Sequence, residues 1–157
     1  MKGTKWDIRF MNLAKEIAKW SSCIRNNRQV GCVIVRDNKV ITTGYNGAPA
    51  GIRTCRERGV CIRDKMGIAS GTRSEVCYSV HAEQNAIIQA ARDGMSLVGT
   101  TIYVTHQPCN NCAKMIINAG IEKVVYLNGY PDNLALEICK EAKLNLVRYS
   151  DLEFDEK

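Results

Sequence analysis

Trp6, Phe10, Leu13, Ile17 and Trp20 recur at steps of four and three, the period of a single helical face, and predict an amphipathic helix over 5–22 with this stripe packed inward. Thr4 stands where a cap belongs, and Asp7 falls in the first turn, where a negative charge suits the helix dipole. The period then changes. VGCVIV at 30–35 and KVITTG at 39–44 are short, branched and apolar, and the polar Asp37 and Asn38 between them predict an antiparallel hairpin with a tight turn. Further along, 81–93 reads as an alanine-rich helix ended by Gly94, 100–105 as a strand, and 108–120 as a helix opened by Pro108 and closed by Gly120. A strand at 122–127, a helix at 132–142 and a strand at 144–149 complete the pattern. With a helix between them, the last two strands should be parallel. Five strands with interposed helices predict an α/β domain, a mixed sheet covered by helices on both faces. The acidic tail DLEFDEK is expected to fray and to have no role.

Two stretches fit no regular element. GYNGAPAG at 44–51 holds three glycines, a proline and an asparagine, too many breakers for a helix or strand. It is either a connection that needs special backbone angles or a loop that brings Asn46 close to a ligand, and the residues leave both readings open. Residues 52–79 form an excursion with six basic side chains, three acidic ones and three cysteines, Cys55, Cys61 and Cys77. So little apolar content gives it no core of its own, so another feature of the protein should pin it.

At 157 residues the chain is read as one domain, 1–157, with 52–79 as an insertion. No apolar run approaches a membrane span and the N-terminus lacks a signal-type apolar region, so the expected setting is cytoplasmic and away from membranes. Eight cysteines could suggest a disulfide scaffold, but such scaffolds are short, secreted and poor in core, which leaves metal binding as the better reading. Charge is uneven: residues 1–80 carry 15 Lys/Arg against 6 Asp/Glu, and the remainder 7 against 10. A basic half suits a phosphate-bearing partner, although scattered surface lysines give the same total.

The densest chemistry lies in HAEQN at 81–85 and PCNNC at 108–112. His81, Cys109 and Cys112 offer one nitrogen and two sulfurs, ligands that zinc takes in tetrahedral sites, and three protein ligands leave a corner for water. Both groups fall at predicted helix starts, whose positive dipole ends favour thiolate over thiol. His106 competes as a ligand, but a fourth protein ligand would close the site, so it reads as a neighbour of the pocket. Zinc with a neutral imidazole and two thiolates has no net charge and acidifies water less than a three-histidine centre does. A base is therefore needed, and Glu83, two residues past the histidine, is placed to shuttle protons. H-x-E followed by P-C-x-x-C is the established signature of zinc nucleobase deaminases, so this assignment matches a known pattern.

HAEQNAI at 81–87, PCNNCAKMI at 108–116 and TGYNGAPAG at 43–51 together resemble the deoxycytidylate (dCMP) deaminases of the cytidine deaminase-like superfamily, including bacterial late-competence deaminase-type proteins. The resemblance runs in order over 5–149. It implies a three-layer α/β/α cytidine deaminase-like fold, zinc at His81, Cys109 and Cys112, Glu83 as proton shuttle, Asn46 on the sugar and Tyr130 near the substrate. It implies hydrolysis of dCMP to dUMP and ammonia in supply of thymidylate synthesis, in a homohexamer activated by dCTP with Mg2+ and inhibited by dTTP. Arg28 and Arg92 are suspected phosphate or effector contacts, although an arginine ending a helix is also an ordinary cap. Some relatives hold a second, structural zinc between the end of the first helix and the excursion. Cys55 fits that position, with Cys23, Cys61 and Cys77 as partners, and such a metal would pin the excursion. Cys32 and Cys139 read as small buried apolar residues. The alternatives are a deaminase of another cytosine nucleotide, dCTP included, or of a nucleic-acid base, and a competence-type nucleotide-binding protein. Few aromatics accompany the arginines, which disfavours a nucleic-acid groove, and an intact Glu83 disfavours a pure binding module.

Overall fold

The computed structural model describes residues 1–69 and 72–154. In chain order these form helix α1 (Lys5–Ala18), strands β1 (Gly31–Arg36) and β2 (Lys39–Tyr45), and the short helices α2 (Cys55–Arg58) and α3 (Ile62–Lys65). Helix α4 (Ala82–Arg92), strand β3 (Thr101–His106), helix α5 (Asn110–Asn118), strand β4 (Lys123–Asn128), helix α6 (Asn133–Glu141) and strand β5 (Asn145–Arg148) follow. The strands stand in the order β2-β1-β3-β4-β5. β1 is antiparallel to both its neighbours, whereas β3–β4 and β4–β5 are parallel because α5 and α6 carry the chain back between them. Among the described residues, no helix is long and apolar enough to cross a membrane.

Alternation along β1 builds the two halves of the core. Cys32 and Ile34 face Ala82, Ala86 and Ala90 of α4 together with Ile102 and Val104 of β3. Val33 and Val35 face Phe10, Met11, Ala14 and Ile17 of α1 and Tyr103 of β3. Each fully buried Ile or Val here contributes about 1.5–3 kcal/mol. The expected hairpin turn is present: Asp37 and Asn38 have φ of 49° and 59°, two left-handed residues in the twist-matched two-residue turn that joins antiparallel strands.

The first helix differs from its expectation. It ends at Ala18, not 22, and its buried face is Phe10, Met11, Ala14, Ile17 and Ala18, while Leu13 and Trp20 are exposed. The cause is close approach: a Cβ at Gly31 would collide with the backbone of Ala14 and Ala18, so small residues line the contact with β1 and bulky ones fall to the side. Trp20 instead meets Tyr45 edge-on, 6.1 Å between ring centroids. The predicted cap does form. Thr4 and Asp7 exchange hydrogen bonds as a capping box.

The tail also departs from expectation within its described part. Tyr149–Asp151 make a 3-10 turn, Leu152 is buried in the α1-side core, and Glu153 pairs with Lys2 and accepts from the Gly3 N–H at 2.8 Å. Leu152 and Phe154 give this acidic segment enough apolar surface to dock; 155–157 lie outside the described residues.

In its described residues the excursion forms α2, α3 and a 3-10 turn at Ser74–Val76. Polar ties hold it to the chain after α1: Arg56 donates to the Ser21 carbonyl at 3.1 Å, and Arg25 pairs with Asp64 at 3.1 Å. Cys55, Cys61 and Arg63 are buried.

Candidate active site

Two helix N-termini meet beyond the ends of the central strands. His81 is the N-cap of α4 and Cys109 the N-cap of α5, with Cys112 one turn on. The His81 N–H donates to Gln84 Oε1 at 3.0 Å, which sets the imidazole at the head of its helix. Its Nδ1 lies 3.5 Å from Cys109 Sγ and 3.4 Å from Cys112 Sγ. With Zn–S of about 2.3 Å and Zn–N of about 2.0–2.1 Å, a tetrahedral centre has an N···S edge of about 3.5 Å, so this donor set fits zinc. Among the described residues these three alone form a group of potential ligands within 4.8 Å of one another. His106 is not in it. That histidine lines the same cavity, with Nδ1 3.2 Å from Thr105 Oγ1.

The proton affinities of these side chains follow from the same contacts. A hydrogen bond from the Cys112 thiol, together with His81, lowers the Cys109 pKa to about 4, against the cost of burial. The same bond, with burial and the Glu83 charge, pushes the Cys112 thiol far up. The bond to Cys109 raises the His81 pKa despite burial. Glu83 is 4% exposed, and burial raises its pKa, partly offset by the charge of His81. A carboxyl held above its ordinary range beside a metal centre is suited to taking and returning protons.

Above this base opens a cavity lined by Asn46, Tyr130, His106 and Gln107, by Arg25 and Arg28, and by Arg63 and the four cysteines 23, 55, 61 and 77. Most expected site residues therefore converge. Arg92 does not: it ends α4 at the far side, about 16 Å along the axis from His81. Asn46 has a job in addition to the expected one. Its Oδ1 accepts from the Val30 N–H and its Nδ2 donates to the Arg28 carbonyl, both at 2.8 Å, which fixes the strand entry and leaves one N–H and one lone pair for a ligand. The glycine-rich loop is thus structural at Asn46 and lines the cavity as well. Three contributors escaped sequence reasoning: Arg63, Gln107 and Asp132, which accepts from Asn110 at the head of α5. Asp132 opens the helix predicted over 132–142 and could have been read as its cap; Arg63 and Gln107 carry no such signal.

Residues 4–128 match the cytidine and deoxycytidylate deaminase zinc-binding region. The chain belongs to this deaminase family. It is similar to the deoxycytidylate deaminase of Mycobacterium phage D29, 40% identical over 131 residues that cover 80% of this chain and 97% of the phage protein. It is also similar to the deoxycytidylate deaminase of Schizosaccharomyces pombe, 38% identical over 145 residues and 92% of this chain, but it spans only 44% of that longer protein. Among solved structures, the dCMP deaminase of cyanophage S-TIM5 in complex with dCMP and dUMP superposes with a TM-score of 0.77, at 26% identity over 94% of this chain and 99% of the other. The zinc-binding character of the family agrees with the donor set at His81, Cys109 and Cys112, and the five-stranded mixed sheet together with this superposition gives the cytidine deaminase-like fold.

Proposed function

We propose that this chain hydrolyses dCMP to dUMP and ammonia, with residues 1–157 acting as one zinc-dependent deaminase domain. The observation that carries the reading is Glu83, buried beside the His81/Cys109/Cys112 group at the base of a cavity that also holds arginines. The substrate is supported by the relatives named for deoxycytidylate and by the structural neighbour complexed with dCMP and dUMP.

His81, Cys109 and Cys112 would hold the zinc, which when bound would supply Lewis acidity to a water. Glu83 takes a proton from a water as its oxygen bonds the amino-bearing carbon, passes that proton to the adjacent ring nitrogen, and delivers the second proton to the amine as the C–N bond breaks. The oxygen stays on the carbon and ammonia leaves, so the atoms balance. Asn46 and Tyr130 flank the substrate in this reading, Arg28 contacts phosphate, and Arg92, remote from the cavity, is left as an effector contact only.

The finer parts of the reading rest on the family resemblance: a homohexamer, activation by dCTP with Mg2+, inhibition by dTTP, and supply of dUMP for thymidylate synthesis. Free cysteines throughout support a reducing, cytoplasmic setting. A second, structural zinc on Cys23, Cys55, Cys61 and Cys77 is supported by their lining one side of the cavity together, although their sulfurs are not drawn as close as those of the first site. Two zincs per chain, falling to one in Cys55→Ser, is the expected metal analysis.

The test follows ammonia release by the zinc-loaded protein from dCMP, dCTP, deoxycytidine and a cytosine-bearing oligonucleotide, with and without dCTP and dTTP. Release from dCMP, abolished in Glu83→Ala with zinc retained, is expected. No release from dCMP under any condition sinks the proposal. Preference for the oligonucleotide would favour a nucleic-acid substrate, a reading disfavoured by Tyr130 being the one aromatic ring besides histidine among the described residues of the cavity.

A further inference from the structure

Among the described residues, Arg63 is a buried cation with no fixed anion. Its side chain comes from α3 in the excursion, with the residue only 9% exposed. One end is tethered: Nη2 donates to the carbonyls of Ala69 at 2.8 Å and Thr72 at 2.5 Å. Its Nε, fully covered, has no hydrogen-bond partner. None of the ion pairs among the described residues includes it. The carboxylate next to it in sequence, Asp64, is taken by Arg25, and Glu83 is engaged with His81 and Cys112. Removing a guanidinium from water without a counter-charge costs several kcal/mol, so such a group persists where an anion arrives to complete it.

Its position says which anion. Arg63 lines the cavity whose base is His81, Glu83 and Cys109, and it is close enough for its charge to act on both His81 and Tyr130. The tether takes both Nη2 hydrogens and Nε is covered, so the Nη1 N–H groups are the donors left for a phosphate oxygen, in a charge-assisted hydrogen bond. We infer that Arg63 binds the 5′-phosphate of the nucleotide substrate and is the residue by which the excursion selects a nucleotide over a nucleoside. The inference rests on the dCMP reading above and adds to it a specific contact that the sequence did not mark. It also gives the excursion a function apart from any metal: its backbone carbonyls hold the guanidinium in place.

The experiment compares Arg63→Gln with the parent protein, both zinc-loaded, in two assays. In turnover, KM for dCMP is expected to rise about 10- to 100-fold, the worth of a charge-assisted hydrogen bond, with the loss falling on KM more than on kcat. In calorimetry, dUMP affinity falls by the same factor while that of deoxyuridine, which lacks the phosphate, stays within twofold. An unchanged KM for dCMP, or equal losses for dUMP and deoxyuridine, overturns the inference, the second result marking Arg63 as only a brace for its loop. Should Arg63→Gln fail to fold, Arg63→Lys keeps the charge but not the planar group that reaches the phosphate while held by two carbonyls, and the same selective loss for dUMP, threefold or more, is required. Calorimetry separates the two levels of the argument. A parent protein that binds dUMP better than deoxyuridine yet does not turn over dCMP refutes the proposed reaction, and the Arg63 comparison still reads on the phosphate contact.

Discussion

Asp132 Oδ2 accepts two hydrogen bonds from Asn110, from the backbone N–H at 2.9 Å and from the side-chain amide at 3.0 Å. Its Oδ1 accepts from the Ala135 N–H at 3.0 Å, so one carboxylate caps α6 and grips the first residue of α5. Burial works against its charge, but these three bonds outweigh that and hold the Asp132 pKa below the usual carboxylate value. Cys109 immediately precedes Asn110 and Cys112 follows within a turn, so the grip orients two of the three proposed zinc ligands. Asp132→Ala is expected to weaken zinc binding about 10-fold or more, the usual cost of losing a group that orients a ligand. Competition with a chromophoric chelator measures it, and an unchanged affinity would show that α5 holds its own start.

Zinc binding should release protons. In the metal-free protein Cys109 is a thiolate, its pKa lowered to about 4 chiefly by the Cys112 thiol, which keeps its own proton far above neutral pH. The bond to Cys109 raises the pKa of His81, so any proton it holds must also leave. Zinc takes thiolates and neutral imidazole, so binding at pH 7 should release about one to two protons. The sign follows: affinity rises with pH and falls as acid competes for the same atoms. Calorimetry in buffers of different ionisation enthalpy reads the number directly, and a value near zero would mean that Cys112 is ionised before the metal arrives.

The parts of this site that were legible in the sequence are those set by local spacing. His81 and Glu83 are two residues apart, Cys109 and Cys112 three apart, each pair at the head of a helix whose apolar periodicity is plain; the meeting of the two heads follows from the sheet order. Arg63 was not legible, because its burial depends on carbonyls six and nine residues onward and on a cavity wall drawn from distant segments. Trp20 misled for a related reason. A stripe of large residues predicts the buried face only where the neighbour leaves room, and β1 approaches α1 at Gly31 too closely for anything but Ala14 and Ala18. The same limit applies to Asn46, whose glycine-rich surroundings signalled special geometry without saying whether the side chain serves a ligand or the backbone of Arg28 and Val30.

Close approach also governs the strand that supports α4. A Cβ on Gly44 would run into the carbonyl of Ala82 and the N–H of Ala86, in the first turns of the helix that carries Glu83. Hydrogen bonds on either side, Asn85 Nδ2 to the Tyr45 carbonyl at 2.8 Å and Thr42 Oγ1 to the Ala86 carbonyl at 3.3 Å, bar the helix from retreating freely. Gly44→Ala should therefore cost about 1–3 kcal/mol of stability, as overpacking does, and should lower turnover further by displacing Glu83. Gly129→Ala, with nothing within 4 Å of the added carbon, is the matched control and should stay within about 0.5 kcal/mol. Equal denaturation midpoints for the two variants would contradict the packing argument.

Asp7 ties the first helix to the sheet. Its carboxylate accepts from the Thr4 N–H at 2.8 Å, the Thr4 hydroxyl at 2.6 Å and the Tyr103 hydroxyl at 2.8 Å, and Lys123 Nζ stands 3.8 Å away. Burial raises its pKa, but the Thr4 bonds, then Tyr103 and the Lys123 charge, outweigh it and leave the value below the ordinary 3.8. A carboxyl with a depressed folded pKa adds stability that is fully present above its unfolded pKa and is lost as pH falls through the folded one. The contribution should therefore hold at neutral pH, begin to fall near about pH 4 and be lost as pH drops through the lower folded value. Asp7→Asn is expected to cost about 1–3 kcal/mol at pH 7, from a weakened cap and charge-assisted bonds lost to Tyr103 and Thr4. Because the variant lacks the titrating group, its stability should fall less steeply on acidification, and the two proteins should converge toward pH 2. Urea denaturation of both at pH 7, 4 and 2 tests this: a gap that stays constant across the series would assign the cost to packing and remove the electrostatic role given to Asp7.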